Sequence, residues 1–224
     1  MQNQRGWIGA AVERKFYLLF VCLLVLLIVY PYFQENGYEF LGFRLFGCAV
    51  TLLSVYAVSF RRSFTLLALV FAIPTLVQRI MSPAGTAGPL LLLVTSCGFV
   101  FDLLVIVIIF RRVFATDRPS SETIFGALCI YLLVGFSFAS GYLLLATLKP
   151  HAFSFDPASN FPKVPGRFSY IYYSFGTLTS LGAPGISPAS DEARSLTAIQ
   201  AILGVLYLAV LISRLISMYR RPVS

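Results

Sequence analysis

The sequence predicts an all-α membrane protein with six transmembrane helices and a re-entrant half-helix between the fifth and the sixth. Three observations carry this. Hydrophobic residues make up 58% of the 224 and charged residues only 12%, far from the balance of a water-soluble domain. Six apolar runs, each near the roughly 20 residues that a bilayer core demands, are separated by polar breaks. One further stretch, Arg167 to Leu178, is too short to cross a bilayer and too apolar for water.

The first span is read from Phe16 to Phe33. It follows Arg14 and Lys15 as a secretory signal would. It ends in Tyr30-Pro31-Tyr32 without a small-residue cleavage site, so it is expected to stay as an uncleaved helix. The second runs from Phe40 to Phe60, and the third from Phe64 to Met81, stopping at Ser82-Pro83-Ala84-Gly85. The fourth covers Pro89 to Phe110. Ser121 and Glu122, behind Pro119, open the fifth, which continues to Leu148, and the last runs from Glu192 to Ile216.

Short cytoplasmic loops keep positive charge. With the N-terminus inside, one side collects Arg5, Arg14, Lys15, Arg61, Arg62, Arg111, Arg112, Arg118, Arg220 and Arg221. The opposite side mixes acids with bases, so both termini are expected in the cytoplasm. A multi-pass protein of this compact size with no cleavable signal fits a bacterial inner membrane.

The formal charge of +8 raises nucleic acid as a partner, but the basic residues come as singles and pairs between apolar runs, with no basic stripe. No nucleic-acid role is expected. Cys22, Cys48, Cys97 and Cys129 all lie inside apolar runs and lack metal-site spacing, which makes them small buried hydrophobes. No nucleophile, base and orienter can be assembled, so neither an enzyme nor a cofactor is expected, and no metal beyond transient monovalent cations.

The long outer link from Lys149 to Asp191 breaks the pattern of short loops. Its first half, Pro150 to Pro165, is polar and proline-bearing and reads as a turret. Its second half dips into the membrane as a half-helix and returns. Non-helical backbone at that depth is tolerated only where protein buries it or where it lines a watery cavity, so a pore is the economical reading.

Tyr173-Ser174-Phe175-Gly176-Thr177-Leu178-Thr179-Ser180-Leu181-Gly182 resembles the pore helix and filter start of potassium-channel-type proteins. Ile186-Ser187-Pro188 and the last span complete that layout. The resemblance covers Arg167 to Met218, with Ser121 to Leu148 as the outer pore helix. It implies a homotetramer, since one chain supplies a quarter of a pore, and monovalent cations, K+ or Na+, as the permeant species. It places Thr179 at the filter base, Ser180 as a hydroxyl ligand, and the carbonyls of Ser180, Leu181 and Gly182 along the lower half.

The upper half departs from the family, because Ala183, Pro184 and Gly185 stand where Tyr, Gly and Asp are usual. The family's second Gly takes positive φ, whereas proline is locked near −65° and pushes the preceding residue into extended backbone. Two readings follow. In one, a shortened filter passes monovalent cations with weak discrimination; in the other, Ala183-Pro184 seals the pore and the chain is a channel-derived scaffold or accessory subunit for an unknown protein partner.

Residues 1–118 are expected to form a four-helix transmembrane region and 119–224 the pore module. The fourth span carries no arginine before Arg111 and Arg112, so it lacks the ladder that voltage sensing needs. Asp102 within it calls for a partner, and Arg44 of the second span is a candidate, for either a helix contact or a coupling role. Gly204 stands at the family's hinge position, or marks close helix packing. Arg214 either snorkels to the interface or faces the inner mouth. Ser187-Pro188 reads as the cap and first turn of the last helix, with Asp191 and Glu192 favouring its N-terminus or, from four subunits, concentrating cations at the outer mouth. His151, in the turret, reads as solvated.

Overall fold

A computed structural model of the chain describes residues 15–35, 39–59, 62–81, 89–115, 120–156 and 166–219. The turn at Ser82–Gly85, most of the turret, and the basic residues Arg5, Arg14, Arg61, Arg118, Arg220 and Arg221 lie outside the described residues. The described chain forms helices α1 (Lys15–Glu35), α2 (Glu39–Val58), α3 (Arg62–Met81), α4 (Pro89–Ala115) and α5 (Ser121–Leu148). Strand β1 (Phe153–Phe155), helix α6 (Arg167–Leu178), strand β2 (Ile186–Pro188) and helix α7 (Asp191–Tyr219) follow. Among the described residues, three helices are long and apolar enough to cross a membrane: Lys15–Tyr32, Ser121–Leu148 and Asp191–Ser217.

The chain divides into two compact units, residues 1–133 and 134–224, so the division falls inside α5. In the first unit α1 packs on α2, α2 on α3 and α3 on α4. Each presents a stripe at helical spacing: Phe16, Leu19, Leu23 and Leu26 on α1, Ala68, Ala72 and Thr75 on α3, and Phe101, Val105, Ile109 and Val113 on α4 are buried. Small residues on α3 let backbones approach closely, as membrane helix pairs require. The opposite faces stay apolar, with Leu66, Val70 and Ile73 on α3 and Leu93, Leu103 and Val107 on α4 exposed. Such faces suit hydrocarbon. The hydroxyls of Thr51 and Thr75 donate to the carbonyls of Gly47 and Phe71 one turn back, at 2.9 and 2.8 Å, which satisfies them without water.

Helix α5 begins at Ser120, whose hydroxyl accepts the Thr123 N–H at 3.2 Å. The buried Cys129 thiol donates to the Phe16 carbonyl at 3.3 Å, in keeping with its reading as a small hydrophobe. Asp102 is half-buried on α4, while the side chain of Arg44 lies outside the described residues.

The second unit is built around an aromatic box. Tyr142 of α5, Phe153 of β1, and Tyr170 and Tyr173 of α6 are buried together with Ile186 of β2 and Ala193 of α7. Their rings meet edge to face, with centroids 5.5 Å apart for Tyr142–Phe153, 5.0 Å for Tyr142–Tyr173 and 5.6 Å for Phe153–Tyr170, the favoured quadrupole geometry. Strands β1 and β2 pair antiparallel, Phe153 opposite Pro188 and Phe155 opposite Ile186. This small sheet adds to the all-α expectation.

The strand pair also moves a helix start. Because Ile186–Pro188 is taken up in β2, α7 begins three residues later than Ser187-Pro188 suggests, and Ser190 is its cap, accepting the Ala193 N–H at 3.2 Å. Helix α7 buries Ala193, Gln200, Gly204 and Leu211, a single stripe at seven- and four-residue spacing. Ile199, Ile202, Val205, Leu206, Val210 and Ile212 remain exposed around the rest of its surface.

Candidate functional site

Helix α6 has 12 residues, about 18 Å at 1.5 Å per residue, little more than half of a hydrocarbon core of about 30 Å. Ser169, Tyr170, Ile171, Tyr173, Ser174, Gly176 and Leu178 are buried, so the half-helix is sheathed in protein over most of its surface. It ends at Thr179, whose N–H and hydroxyl both go back to the Phe175 carbonyl, at 3.0 and 2.7 Å. Ser180 then turns left-handed at φ 59°, with its N–H on the Thr177 carbonyl at 3.1 Å. That turn ends the helix.

The next residues double back onto α6. The Gly182 N–H donates to the Gly176 carbonyl at 3.0 Å, and Gly182 takes φ 85°, which glycine adopts freely. A Cβ on Gly176 would lie 2.5 Å from the Gly182 carbonyl oxygen. The N–H and the carbonyl oxygen of Gly182 thus both lie close to Gly176 of α6. Ala183 to Ile186 form a turn closed by the Ile186 N–H on the Ala183 carbonyl at 3.2 Å, with Gly185 at φ 89°. Proline second and glycine third is the type II preference. The Gly185 carbonyl accepts the Asp156 N–H at 2.9 Å, which ties the turn to the residue after β1.

Counting carbonyls defines the site. Those of Phe175, Gly176, Thr177, Ala183 and Gly185 accept hydrogen bonds within the unit. Those of Thr179, Ser180 and Leu181, like those of Gly182 and Pro184, accept none among the described residues, nor does the Ser180 hydroxyl have a partner there. Thr179 to Gly182 are exposed, and Leu181 is 81% exposed. These carbonyls follow the C-terminal end of α6, where the helix dipole is negative and favours positive charge.

Behind this segment, α5, α6 and α7 meet through buried polar side chains that the sequence reading passed over. Tyr142 donates to Gln200 Oε1 at 2.6 Å, Gln200 Nε2 donates to the hydroxyl and the carbonyl of Ser174 at 2.7 and 3.1 Å, and Ser174 donates to the Gly135 carbonyl at 2.7 Å. Beside them the hydroxyls of Tyr173 and Thr197 lie 2.8 Å apart. Gln200 is an amide in an otherwise apolar span, and a polar group so placed is a functional signal. Gly204 lies one turn further, where a Cβ would come within 2.2 Å of the Leu178 carbonyl oxygen. That is close packing of α7 on the foot of α6.

At the outer end, Lys149 pairs with Glu192 and Arg194 with Asp191, the latter at 3.3 Å, all on exposed side chains. Such pairs contribute little. His151 is exposed in the turn after α5. Arg44 and Asp102 belong to the first unit.

A protein-family model described as "Ion channel" matches residues 128–221, which hold most of α5 and all of β1, α6, β2 and α7. With the apolar helices, the match supports a membrane protein of an ion-channel family and a non-enzymatic role. No curated protein and no solved structure matches the chain.

Proposed function

We propose that four copies of the chain surround a pore that passes monovalent cations with weak discrimination between K+ and Na+. The constriction is formed by the carbonyls of Thr179, Ser180 and Leu181 and the Ser180 hydroxyl. The observation that carries this reading is that these carbonyls accept no hydrogen bond among the described residues, while those of Phe175, Gly176 and Thr177 before them and of Ala183 and Gly185 after them are taken. Strong selectivity needs several stacked carbonyl rings to replace the hydration shell. Here the Gly182 carbonyl lies against α6, Ala183 closes a turn and Gly185 holds Asp156. What is left is a short inner filter, through which an ion keeps part of its water.

In this reading the six long helices are six spans with both termini in the cytoplasm of a bacterial inner membrane. Residues 119–224 form the pore module and 1–118 a four-helix transmembrane region. Helix α7, exposed and apolar on most of its surface, faces lipid and neighbouring copies. Gly204 serves as a packing contact rather than a hinge.

The same internal commitment of Ala183 and Gly185 favours one second reading, a sealed scaffold that works with a partner protein. Flux separates the two. Purified chain in liposomes is expected to release both K+ and Na+ down their gradients, with permeabilities within about tenfold of each other. Tight vesicles would favour the scaffold, and a K+ preference above about a hundredfold would overturn the weak discrimination.

A further inference from the structure

We propose that Gln200 is a positioning residue for the ion path: its amide holds α6, and with it the Thr179–Leu181 carbonyls, in register, so that ion discrimination depends on a side chain that touches no ion. The inference rests on the channel reading above and adds the element that sets its geometry.

Gln200 is 0% exposed, as are Ser174 and Tyr142. A buried primary amide is costly unless its oxygen and both N–H groups are paired, and here all three are. The orientation is fixed by chemistry: the Ser174 carbonyl can only accept, so the amide nitrogen must face it at 3.1 Å, which leaves the oxygen for the Tyr142 hydroxyl at 2.6 Å. The Ser174 hydroxyl accepts from that nitrogen at 2.7 Å and spends its own proton on the Gly135 carbonyl at 2.7 Å. Every proton has one place, so the network has a single arrangement and ties α5, α6 and α7 at one level.

That level is where it matters. Ser174 lies five residues before Thr179, about 7.5 Å along a helix axis. The Gly135 surface against which Phe175 rests, 2.6 Å from where a Cβ would sit, prevents α6 from sliding toward α5. Gly204 blocks it from α7 in the same way at Leu178. Packing fixes the distances, while the amide, being directional, fixes the rotation and height of α6. Rotation and height are what aim the free carbonyls.

The test compares wild type with Gln200→Leu, Gln200→Glu and Tyr142→Phe as full-length protein in liposomes, reading the K+/Na+ permeability ratio and the hydrogen exchange of the Ser180 and Gly182 amides. Gln200→Leu keeps the volume and removes the direction. It is expected to shift the ratio at least about threefold and speed exchange about tenfold, with Tyr142→Phe smaller in the same sense if the leucine variant fails to assemble. Gln200→Glu adds a pH profile that mere packing does not produce. A protonated carboxyl both accepts from Tyr142 and donates to Ser174, so its ratio is wild-type-like at low pH and leucine-like once it ionises, while wild type stays flat. A ratio and exchange rates equal to wild type in all folded variants would overturn the proposal. Should wild type pass no ions, the channel reading fails on its own, and amide exchange still decides whether Gln200 holds the segment.

Discussion

Alanine at Gly204 is expected to lower the thermal stability of the pore unit by about 2–4 kcal/mol and to abolish ion flux. The added Cβ would stand 2.2 Å from the Leu178 carbonyl oxygen, 3.1 Å from its carbon and 3.2 Å from a methyl of the same residue. One partner is the interior of α7 and the other the last turn of α6. Neither is a flexible side chain, so α6 must move away from α7 as a body. The direction of the result separates packing from hinging, because at a free hinge alanine for glycine within a helix stabilises by about 1 kcal/mol. Thermal melts of the assembled protein in detergent, read beside liposome flux, give the sign directly. A stabilised, conducting variant would return Gly204 to the hinge role.

Alanine at Gly176 is expected to act more on the ion path than on stability. Its Cβ would lie 2.5 Å from the Gly182 carbonyl oxygen, 2.9 Å from the carbon and 3.3 Å from the Ala183 Cβ. The opposing partner here is a loop, which yields at lower cost than a helix, about 1–3 kcal/mol for overpacking. What it loses is its seat on α6. The Gly182 N–H to Gly176 carbonyl bond of 3.0 Å is pulled open, and the return from Leu181 to the Pro184-Gly185 turn changes course. Flux is expected to fall, or the K+/Na+ ratio to shift, by at least about tenfold while the protein still assembles. Wild-type permeation in the alanine variant would mean that the loop's seat on α6 has no part in conduction.

The helices around the site were legible because the bilayer writes them in long apolar runs. Ser121–Leu148 and Arg167–Leu178 are read from sequence with the bounds that the structure gives, since a shift in hydropathy marks their ends and Ser120 caps the first of them. The strand pair was not legible. Phe-Ser-Phe and Ile-Ser-Pro are too short to show a period, Pro188 argues against a strand, and their pairing joins residues more than thirty apart in sequence.

The site itself was half legible. Thr179 to Gly185 announce themselves through the resemblance of their pattern and through two glycines that take positive φ. Which carbonyls remain free depends on the chain doubling back at Gly182, and no residue type encodes that. Gly176 looks like any glycine in an apolar helix, and Gly204 reads as either hinge or packing contact, until the distance to their neighbours is known. The Tyr142, Ser174 and Gln200 network draws one residue from each of three elements. Only Gln200, an amide in an apolar span, gives itself away in the sequence.

The central claim, that Thr179 to Leu181 line the ion path, is tested most directly by Leu181→Cys. The position is 81% exposed in the single chain, whereas Cys129 is buried and Cys22, Cys48 and Cys97 are half-buried in their helices. A membrane-impermeant cationic thiol reagent added outside proteoliposomes is expected to stop cation flux through the variant and leave wild type conducting. Full labelling of Cys at this position with undiminished flux would contradict the account.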